Sequence, residues 1–224
     1  KNKLLKKWNM LALHWIKLLI DCPYSICYFL KKMKLKLFPL RLVAYPSKIV
    51  PLHIFEDRYK LLINECISTN SEFGIIYQND KMLANVGCTV KVHKVLKRYK
   101  DGRMDILTKG NSLFKLIDKQ IEHEIVTAKI ELFSQSADDL APFEKLRDKY
   151  LQVLMSIGLS ENLDRHLLKS SSFELLEYID LMPELELEII SIGSEQKRIE
   201  VLDNLYSELL SKLNASKKRN SLLN

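Results

Sequence analysis

Three prolines interrupt the apolar run between Leu37 and Tyr59, and this run restricts the possible folds more than any other feature of the chain. Proline fixes φ and lacks a backbone N–H, so the run can form neither a helix interior nor a central strand. Directly after it, apolar residues recur at the spacing of one helical face: Phe55, Tyr59, Leu62, Ile63 and Cys66. We therefore expect two short strands joined by a proline corner, followed by a helix over about 55–68.

The segments on either side of this helix are rich in the β-branched and aromatic residues that favour strands. Asp101-Gly102 provides the positive φ that a tight two-residue hairpin needs, and Gly110-Asn111 is a second candidate turn. These signals indicate long antiparallel strands in a small barrel-like sheet. We predict strands at 35–38, 42–45, 73–78, 86–97, 103–109, 113–118 and 124–133.

The second half of the chain has helical spacing. Pro142 fits the first turn of a helix, and Gly158 fits the position just after its end. We predict further helices that begin within Ser170–Asp180, at Pro183 and at Ser194-Glu195, and the last of these has a regular apolar stripe.

Composition divides the chain into four parts, with a polar linker at 134–141. The parts are an N-terminal extension at 1–32, a β domain at 33–133, a helical subdomain at 142–213 and a basic tail at 214–224. We expect the extension to lie outside the fold and the tail to be frayed.

The N-terminal extension carries seven lysines and one aspartate. We expect Met33 to be the natural start of the protein and the residues before it to be upstream sequence. The alternative is a basic amphipathic membrane anchor or a signal peptide, because an apolar stripe from Leu4 to Cys22 follows the first lysines. Charged residues interrupt that stripe before it reaches the ~18 apolar residues of a transmembrane helix. A membrane partner is expected only if this extension is an anchor.

The net charge of +7 is concentrated at the two ends of the chain. Residues 1–32 contribute +6 and Lys217-Lys218-Arg219 contribute +3, which leaves −2 for residues 33–216. A folded nucleic-acid reader needs a basic surface on its folded part. The sequence therefore does not favour a nucleic-acid partner.

Four cysteines occur without any C-x-x-C pair. Cys66 lies on the apolar helix face and Cys88 lies in a predicted strand, so both are expected to be buried free thiols. A chain long enough to bury a core of its own has no need of a disulfide framework. This pattern is consistent with a reducing cytoplasm.

The sequence contains no motif for catalysis or cofactor binding. It has no G-x-S-x-G, no phosphate loop and no G-x-G-x-x-G, and its six glycines leave little room for one. The five histidines are scattered, without the spacing of a metal site: His14, His53, His93, His123 and His166. We therefore expect no catalytic residue, no metal and no cofactor.

A set of motifs nevertheless occurs in order along about 35–133. They are Leu37-Phe38-Pro39-Leu40, Pro51-Leu52-His53-Ile54-Phe55-Glu56-x-Arg58-Tyr59, Phe73-Gly74-Ile75, Val86-Gly87-Cys88-Thr89-Val90, Asp101-Gly102-Arg103, and Lys109-Gly110 with Phe114. This set resembles the N-terminal substrate-binding domain of Lon proteases, which also occurs in small stand-alone proteins. The resemblance is weak over the helical residues to about 213. Asp57 replaces a usual proline and Ser112-Leu113 replaces a usual arginine, so the details of a binding surface do not follow from it.

The resemblance implies an α+β fold, with a PUA-like β-barrel or pseudobarrel domain followed by a C-terminal helical bundle. It also implies a non-catalytic polypeptide-binding module related to ATP-dependent proteolysis. The implied partners are unfolded or exposed polypeptide segments, and a protease or chaperone that the module serves. Lon proteases carry an ATPase module and a Ser–Lys protease module, and the sequence has room for neither, so we expect no enzyme activity.

The family-like motif supplies the candidate binding residues, most of which we expect to be structural: Pro51, His53, Phe55, Glu56, Arg58 and Tyr59. We expect His53 to hydrogen-bond to the backbone at the strand-to-helix corner, and Glu56 to stabilise the helix N-terminus. Lys48, Arg58 and Tyr99 are the candidates for exposed contact positions.

Two other classes of function remain open. A PUA-like domain could read RNA, and binding would then fall steeply with salt and survive removal of the charged ends. A hydrolase with an unrecognised site would cleave casein, and a single substitution would abolish the cleavage.

Overall fold

A computed structural model of the chain provides its fold. It describes residues 32–122, 124–133, 143–159, 161 and 163–221, with the side chains of 122 and 216–221 excepted. The extension before residue 32, the linker at 134–141 and Pro142 lie outside the described residues, so their predictions stay predictions. The chain divides into a sheet unit and a helical unit. In the described part, the sheet unit comprises 32–133 and 183–191, and the helical unit comprises 143–182 and 192–221.

The described part of the sheet unit contains six strands and two helices. They are β1 (Lys32–Leu40), β2 (Ile49–Ile54), α1 (Asp57–Thr69), β3 (Phe73–Gln78), β4 (Leu83–Arg98), β5 (Met104–Glu122), β6 (Ile125–Leu132) and α4 (Pro183–Ser191). The helical unit contains α2 (Phe143–Ser156), α3 (Asp164–Leu167), a 3-10 turn at Glu174–Leu176 and α5 (Glu195–Ser221). A mixed sheet with separate helices makes the fold α+β, as expected.

The strands run in the order β2-β5-β4-β3-β1-β6, and β5 also pairs with β6. Among the described strands, five therefore close into a ring, while β2 pairs only with β5 and stands at an edge. The pairing of β1 with β3 is parallel, and all the other pairings are antiparallel. The interior is apolar, and several of its residues are fully buried: Leu37, Phe73, Ile75, Ile76, Phe114 and Ile130.

The proline corner lies between β1 and β2. The predicted strand at 42–45 is wrong, because these residues belong to the loop that ends in a turn at Pro46 and Ser47. The N–H of Lys48 donates to the carbonyl of Tyr45 across this turn (3.0 Å), and Ser47 has φ +69°. The second extended segment is β2, which contains Pro51 and lies at an edge, where a proline is tolerated.

Gly110 lies inside β5, which is continuous from Met104 to Glu122. The predicted turn at Gly110-Asn111 is therefore wrong, and the two strands predicted at 103–109 and 113–118 are one strand. A Cβ at Gly110 would overlap the carbonyl group of Tyr45. The glycine instead exchanges hydrogen bonds with the corner: its N–H donates to Lys48 (2.9 Å), and its carbonyl accepts from Ser47 (3.0 Å). This glycine allows the corner to dock on a continuous strand.

The predicted hairpin at Asp101-Gly102 is present, with a loop of three residues rather than two. The N–H of Gly102 donates to Tyr99 (3.1 Å), and the N–H of Tyr99 donates to Arg103 (2.9 Å). Gly102 has φ +83°, as the third residue of a three-residue hairpin loop requires.

Helix α1 buries Tyr59, Leu62, Ile63 and Cys66, as predicted. The spacing predicts Phe55 on the same face, but the helix begins at Asp57 and the Phe55 side chain is 59% exposed. The reason is that Phe55 still belongs to the extended chain after β2, so helical spacing does not apply to it.

The helical unit confirms the ends of two helices. After α2, the N–H of Leu159 donates to Leu154 (2.9 Å) and the N–H of Gly158 donates to Met155 (3.2 Å), which is a Schellman motif with Gly158 at φ +88°. Helix α5 begins where Ser194-Glu195 predicted it, and its backbone stays helical to Ser221 rather than fraying after residue 214.

The helix predicted within Ser170–Asp180 is wrong, because only the 3-10 turn forms there. Glu174 accepts hydrogen bonds from the N–H groups of Ser170 (2.8 Å) and Ser171 (3.3 Å), and Tyr178 has φ +67°. Such side chain-to-backbone bonds compete with a regular helix.

A buried arginine holds this unit together. Arg198 forms an ion pair with Glu195, donates to the hydroxyl of Ser172 (2.8 Å) and lies 4.0 Å from the ring centroid of Phe173. A buried charge of this kind is tolerated only when it is paired and hydrogen-bonded. No helix within the described ranges is long and apolar enough to cross a membrane.

Candidate functional site

One exposed face of the sheet unit combines apolar, aromatic and basic side chains. It is formed by β2, β5 and the second half of β4, and we call it the outer face. The register aligns nine residues in three rows: Ile49–Lys109–Lys91, Pro51–Leu107–Lys94 and His53–Asp105–Lys97. The alternate residues of β2 point the other way and are buried, which fixes this face toward solvent.

Two β-bulges place the three lysines of β4 on the outer face. Lys91, Lys94 and Lys97 are spaced by three, so in a regular strand Lys94 would point opposite to the other two. The register shifts once between Val92 and Lys94 and again between Val95 and Lys97. Each shift inserts one extra residue, and the lysines therefore form one column along the strand.

The free edge of β2 is defined by its pairing with β5. The N–H of Gly110 bonds to the carbonyl of Lys48, so even-numbered residues of β2 exchange backbone bonds with β5. Ile49, Pro51 and His53 consequently direct their backbone groups away from β5, toward an edge that no described strand occupies. Pro51 removes no hydrogen bond between β2 and β5, because the N–H that proline lacks would have pointed outward.

At one end of the outer face, His53, Tyr99 and Asp105 form a hydrogen-bonded cluster. The Nδ1 atom of His53 lies 2.6 Å from Asp105 Oδ1, and the Tyr99 hydroxyl donates to Asp105 Oδ2 (2.7 Å). The hydrogen bonds from His53 and then Tyr99 lower the pKa of Asp105, and the same bond to Asp105 raises the pKa of Tyr99. The expected backbone bond of His53 is wrong: its partner is a side chain on the neighbouring strand.

Aromatic and cationic groups surround this cluster. The Phe55 ring stacks beside His53 with centroids 6.1 Å apart. The Tyr99 ring lies 4.6 Å from Lys97 Nζ and 5.2 Å from the Arg103 guanidinium carbon. The cluster therefore fixes Tyr99 in place, while Phe55 stays open to solvent.

The family-like motif divides into two groups. Pro51, His53 and Phe55 are exposed and belong to or adjoin the outer face. Tyr59 is buried and stacks on Phe38 with centroids 3.9 Å apart, so it is structural.

Glu56 and Arg58 form the junction between the two groups. Glu56 occupies the N-cap position of α1, but its side chain makes no capping bond and pairs with Arg58 (2.7 Å). Arg58 also donates to the carbonyl of Glu124 (3.0 Å) and lies over the Tyr59 ring (4.6 Å). Glu56 therefore occupies the expected position at the helix N-terminus without capping it through a side-chain hydrogen bond. Arg58 is engaged in contacts within the fold and does not extend into solvent as a free contact residue.

Lys48, like Arg58, is a predicted exposed contact position whose side chain is engaged within the fold. Its Nζ pairs with Glu186 of α4 (2.6 Å), donates to the carbonyl of Val43 (2.8 Å) and lies over the Tyr45 ring (4.6 Å). The hydroxyl of Tyr77 donates to Glu184 of the same helix (2.9 Å). Lys48 therefore connects α4 to the proline corner rather than meeting a partner.

Sequence reasoning missed Asp105 and the lysine column. The Asp101-Gly102 turn joins β4 to β5, and the register that it sets places Asp105 opposite Lys97. The sequence could therefore have indicated this position of Asp105. The lysine column could not be found this way, because spacing by three is typical of a helix and the bulges have no clear local signal.

Charge is unevenly distributed between the two halves of the folded part. Residues 33–133 contain 17 Lys and Arg against 11 Asp and Glu, and residues 134–216 contain 8 against 16. The near-neutral total therefore combines a part with a net charge of +6 and a part with −8. The strand-bearing part is basic, contrary to the expectation from the total.

No group of three or more His, Cys, Asp or Glu side chains within the described ranges is placed to hold a metal ion. Cys66 and Cys88 are free and buried, as predicted.

Comparison with known proteins identifies the family of this chain and two solved structures with a similar fold. The model of the ATP-dependent protease La (LON) substrate-binding domain matches residues 34–223, and the chain belongs to this family. The crystal structure of a Lon N-terminal domain protein from Xanthomonas campestris is similar, with TM-score 0.61 and 24% identity over 76% of this chain and 96% of that one. The N-terminal domain of Mycobacterium avium complex Lon protease is also similar, with TM-score 0.65 and 14% identity over 78% and 98%. At these identities the two structures establish the fold alone.

Proposed function

We propose that this domain binds polypeptide as a substrate-recognition module, and that an extended segment of the client adds as a strand to the free edge of β2. The observation that carries the proposal is the outward-directed backbone of Ile49, Pro51 and His53 beside exposed apolar side chains. An unpaired strand edge is a template for pairing with another chain.

The side chains along this edge suit an unfolded client. Ile49 is 45% exposed and Phe55 is 59% exposed, at opposite ends of β2. Unfolded polypeptide exposes apolar residues, and these would pack on Ile49, Pro51 and Phe55 while its backbone bonds to the edge. We expect affinities at the micromolar level or weaker, because few groups contribute and the client loses conformational entropy on binding.

The module acts by binding and has no catalytic step of its own. The His53–Asp105–Tyr99 cluster contains no serine, threonine or cysteine nucleophile, and we assign it the role of fixing the end of the outer face. The buried free thiols of Cys66 and Cys88 support a reducing, cytoplasmic location. The strand ring supports a PUA-like pseudobarrel, and the packing of α2 on α5 through Lys149 and Asp203 (2.6 Å) supports a helical bundle.

The test compares two substitutions at one residue. Ile49→Pro removes an outward N–H together with the side chain, whereas Ile49→Ala removes the side chain and keeps the N–H. The probe is a nine-residue fluorescent peptide that alternates apolar residues with glutamine, and binding is measured by anisotropy.

Strand addition predicts that Ile49→Pro weakens binding more than Ile49→Ala does, with unchanged melting temperatures as the control for folding. Equal affinity of the two variants would exclude the β2 edge. Absence of binding by the unmodified chain, to this peptide and to denatured proteins, would exclude polypeptide recognition. Casein cleavage that a single substitution abolishes would favour a hydrolase instead.

A further inference from the structure

We propose that the lysine column of the outer face (Lys91, Lys94 and Lys97) is a second subsite, which binds an acidic, extended segment of the client polypeptide. The inference rests on the proposed polypeptide-binding function but does not depend on the β2 edge. It adds a preference for clients in which an apolar segment is accompanied by an acidic one.

The spacing of the column matches an extended chain. Lys91, Lys94 and Lys97 lie opposite Lys109, Leu107 and Asp105, which are alternate residues of β5. Alternate residues of a strand are about 7 Å apart. A client with acidic side chains at every second position would therefore present carboxylates at the same interval as the three ammonium groups.

Within the described part, Lys91 and Lys94 carry the unpaired charge of this column, whereas Lys97 lies opposite Asp105 and its charge contributes to the lowered pKa of that carboxyl. Among the described residues, neither Lys91 nor Lys94 forms an ion pair, and Lys97 contacts the Tyr99 ring. Lys109 of the adjacent strand likewise has no carboxylate partner in the described part and adds a fourth charge to the face. Lys36, Lys48 and Lys60 of the same unit, in contrast, each pair with a carboxylate.

An alternative reading of these lysines is protection of an exposed strand edge. Among the described strands, the second half of β4 pairs with β5 on one side only, since the pairing of β4 with β3 extends no further than Val90. On its other side, Arg98 donates to Asn64 of α1 (3.0 Å). The triple variants described below separate the two roles, because edge protection predicts no loss of peptide binding when the column is removed.

The aromatic residues on the face favour polypeptide over single-stranded nucleic acid. Nucleic-acid grooves combine basic residues with free aromatic rings on which bases stack. Tyr99, the ring that contacts the column, already lies against Lys97 and Arg103 and is held by Asp105. The exposed ring of Phe55 lies beside His53, on the far side of β5 from the column. Leu107, in the middle of the face, provides an apolar contact for a peptide side chain.

The test uses the full chain with two substituted variants of equal net charge. Lys91→Gln, Lys94→Gln and Lys97→Gln together remove the column. Lys115→Gln, Lys119→Gln and Lys129→Gln together remove three exposed lysines from elsewhere in the sheet unit. The probes are a fluorescent peptide that alternates glutamate with threonine, its lysine–threonine counterpart, and the neutral peptide used for the β2 edge.

We expect the glutamate peptide to bind more tightly than the lysine peptide at low salt. Removal of the three lysines should weaken binding of the glutamate peptide about tenfold, because three exposed ion pairs of ordinary strength are lost together. The control triple variant should change binding less than twofold.

Several outcomes would overturn the inference. Equal losses in the two triple variants would show that net charge, rather than the column, attracts the peptide. Tighter, column-dependent binding of an oligouridylate of matched charge would assign the column to nucleic acid. If the neutral peptide binds in an Ile49-dependent way while the glutamate peptide does not bind, the proposed function stands and the second subsite is excluded.

Discussion

The imidazole of His53 and the carboxylate of Asp105 face each other across β2 and β5, with Nδ1 and Oδ1 2.6 Å apart. Two residues separated by half of the sheet unit's sequence thereby fix one end of the face that we assign to client binding. The pair also joins the edge strand to the ring, since β2 pairs with no other described strand.

The first prediction concerns the pKa of Asp105. It should titrate below the ordinary aspartate range, because His53 and Tyr99 both stabilise its charged form. Stability from these bonds is therefore present above the ordinary pKa and is lost as pH falls through the lowered value. Carboxyl NMR titration should show a larger rise of the Asp105 pKa in His53→Ala than in Tyr99→Phe. An unchanged pKa in both variants would contradict the cluster.

A second prediction follows from the close approach of Gly110 to Tyr45. Gly110→Ala should lower the free energy of unfolding by about 2 kcal/mol, because the new methyl group would force the corner away from β5. Lys115→Ala, an exposed position of the same strand, should change it by less than about 0.5 kcal/mol. Chemical denaturation of the two variants provides the comparison, and equal effects would show that the corner is not docked there.

Thiol reactivity tests the core of the sheet unit. Burial raises the pKa of Cys88 to about 12 and also raises that of Cys66. In a Cys22→Ser, Cys27→Ser background, neither remaining thiol should react with Ellman's reagent at pH 8 in the native state, and both should react in denaturant. Rapid reaction of Cys88 in the native protein would place it outside the core.

His166 provides a pH test in the helical unit. It is buried beside the Tyr150 hydroxyl (3.2 Å), and burial, followed by the charges of Lys169 and Arg165, lowers its pKa below 6.5. Between the lowered pKa and 6.5 the unfolded chain binds more protons at this histidine than the folded chain does, so stability should decrease as the pH falls through that interval. The imidazole resonance of His166 should titrate with a midpoint below 6.5. A midpoint above 6.5 would contradict its burial.

The elements that the sequence predicts well are those with a local cause. Gly102 and Gly158 have positive φ at a hairpin and at a helix end, and helical periodicity identifies the buried face of α1. Pro51 predicts that its strand is not a central one, and this is confirmed, since β2 is an edge strand.

The site was harder to predict because its parts come from pairings between distant segments. His53 meets Asp105 only through the β2–β5 register, and the three lysines share a face only because two bulges interrupt β4. Phe55 follows helical spacing in the sequence, yet its exposure depends on where α1 begins. The total charge does not reveal that the strand-bearing part is basic, because the net negative charge of residues 134–216 offsets its net positive charge.

Hydrogen exchange measured by NMR tests strand addition at β2 most directly, with and without the neutral nine-residue peptide. The amides of Val50 and Leu52 should be protected in the free protein, because they bond to β5. The amides of Ile49 and His53 should exchange rapidly in the free protein and become protected when the peptide binds. Binding that protects neither Ile49 nor His53, and instead perturbs only the helical unit, would contradict the account.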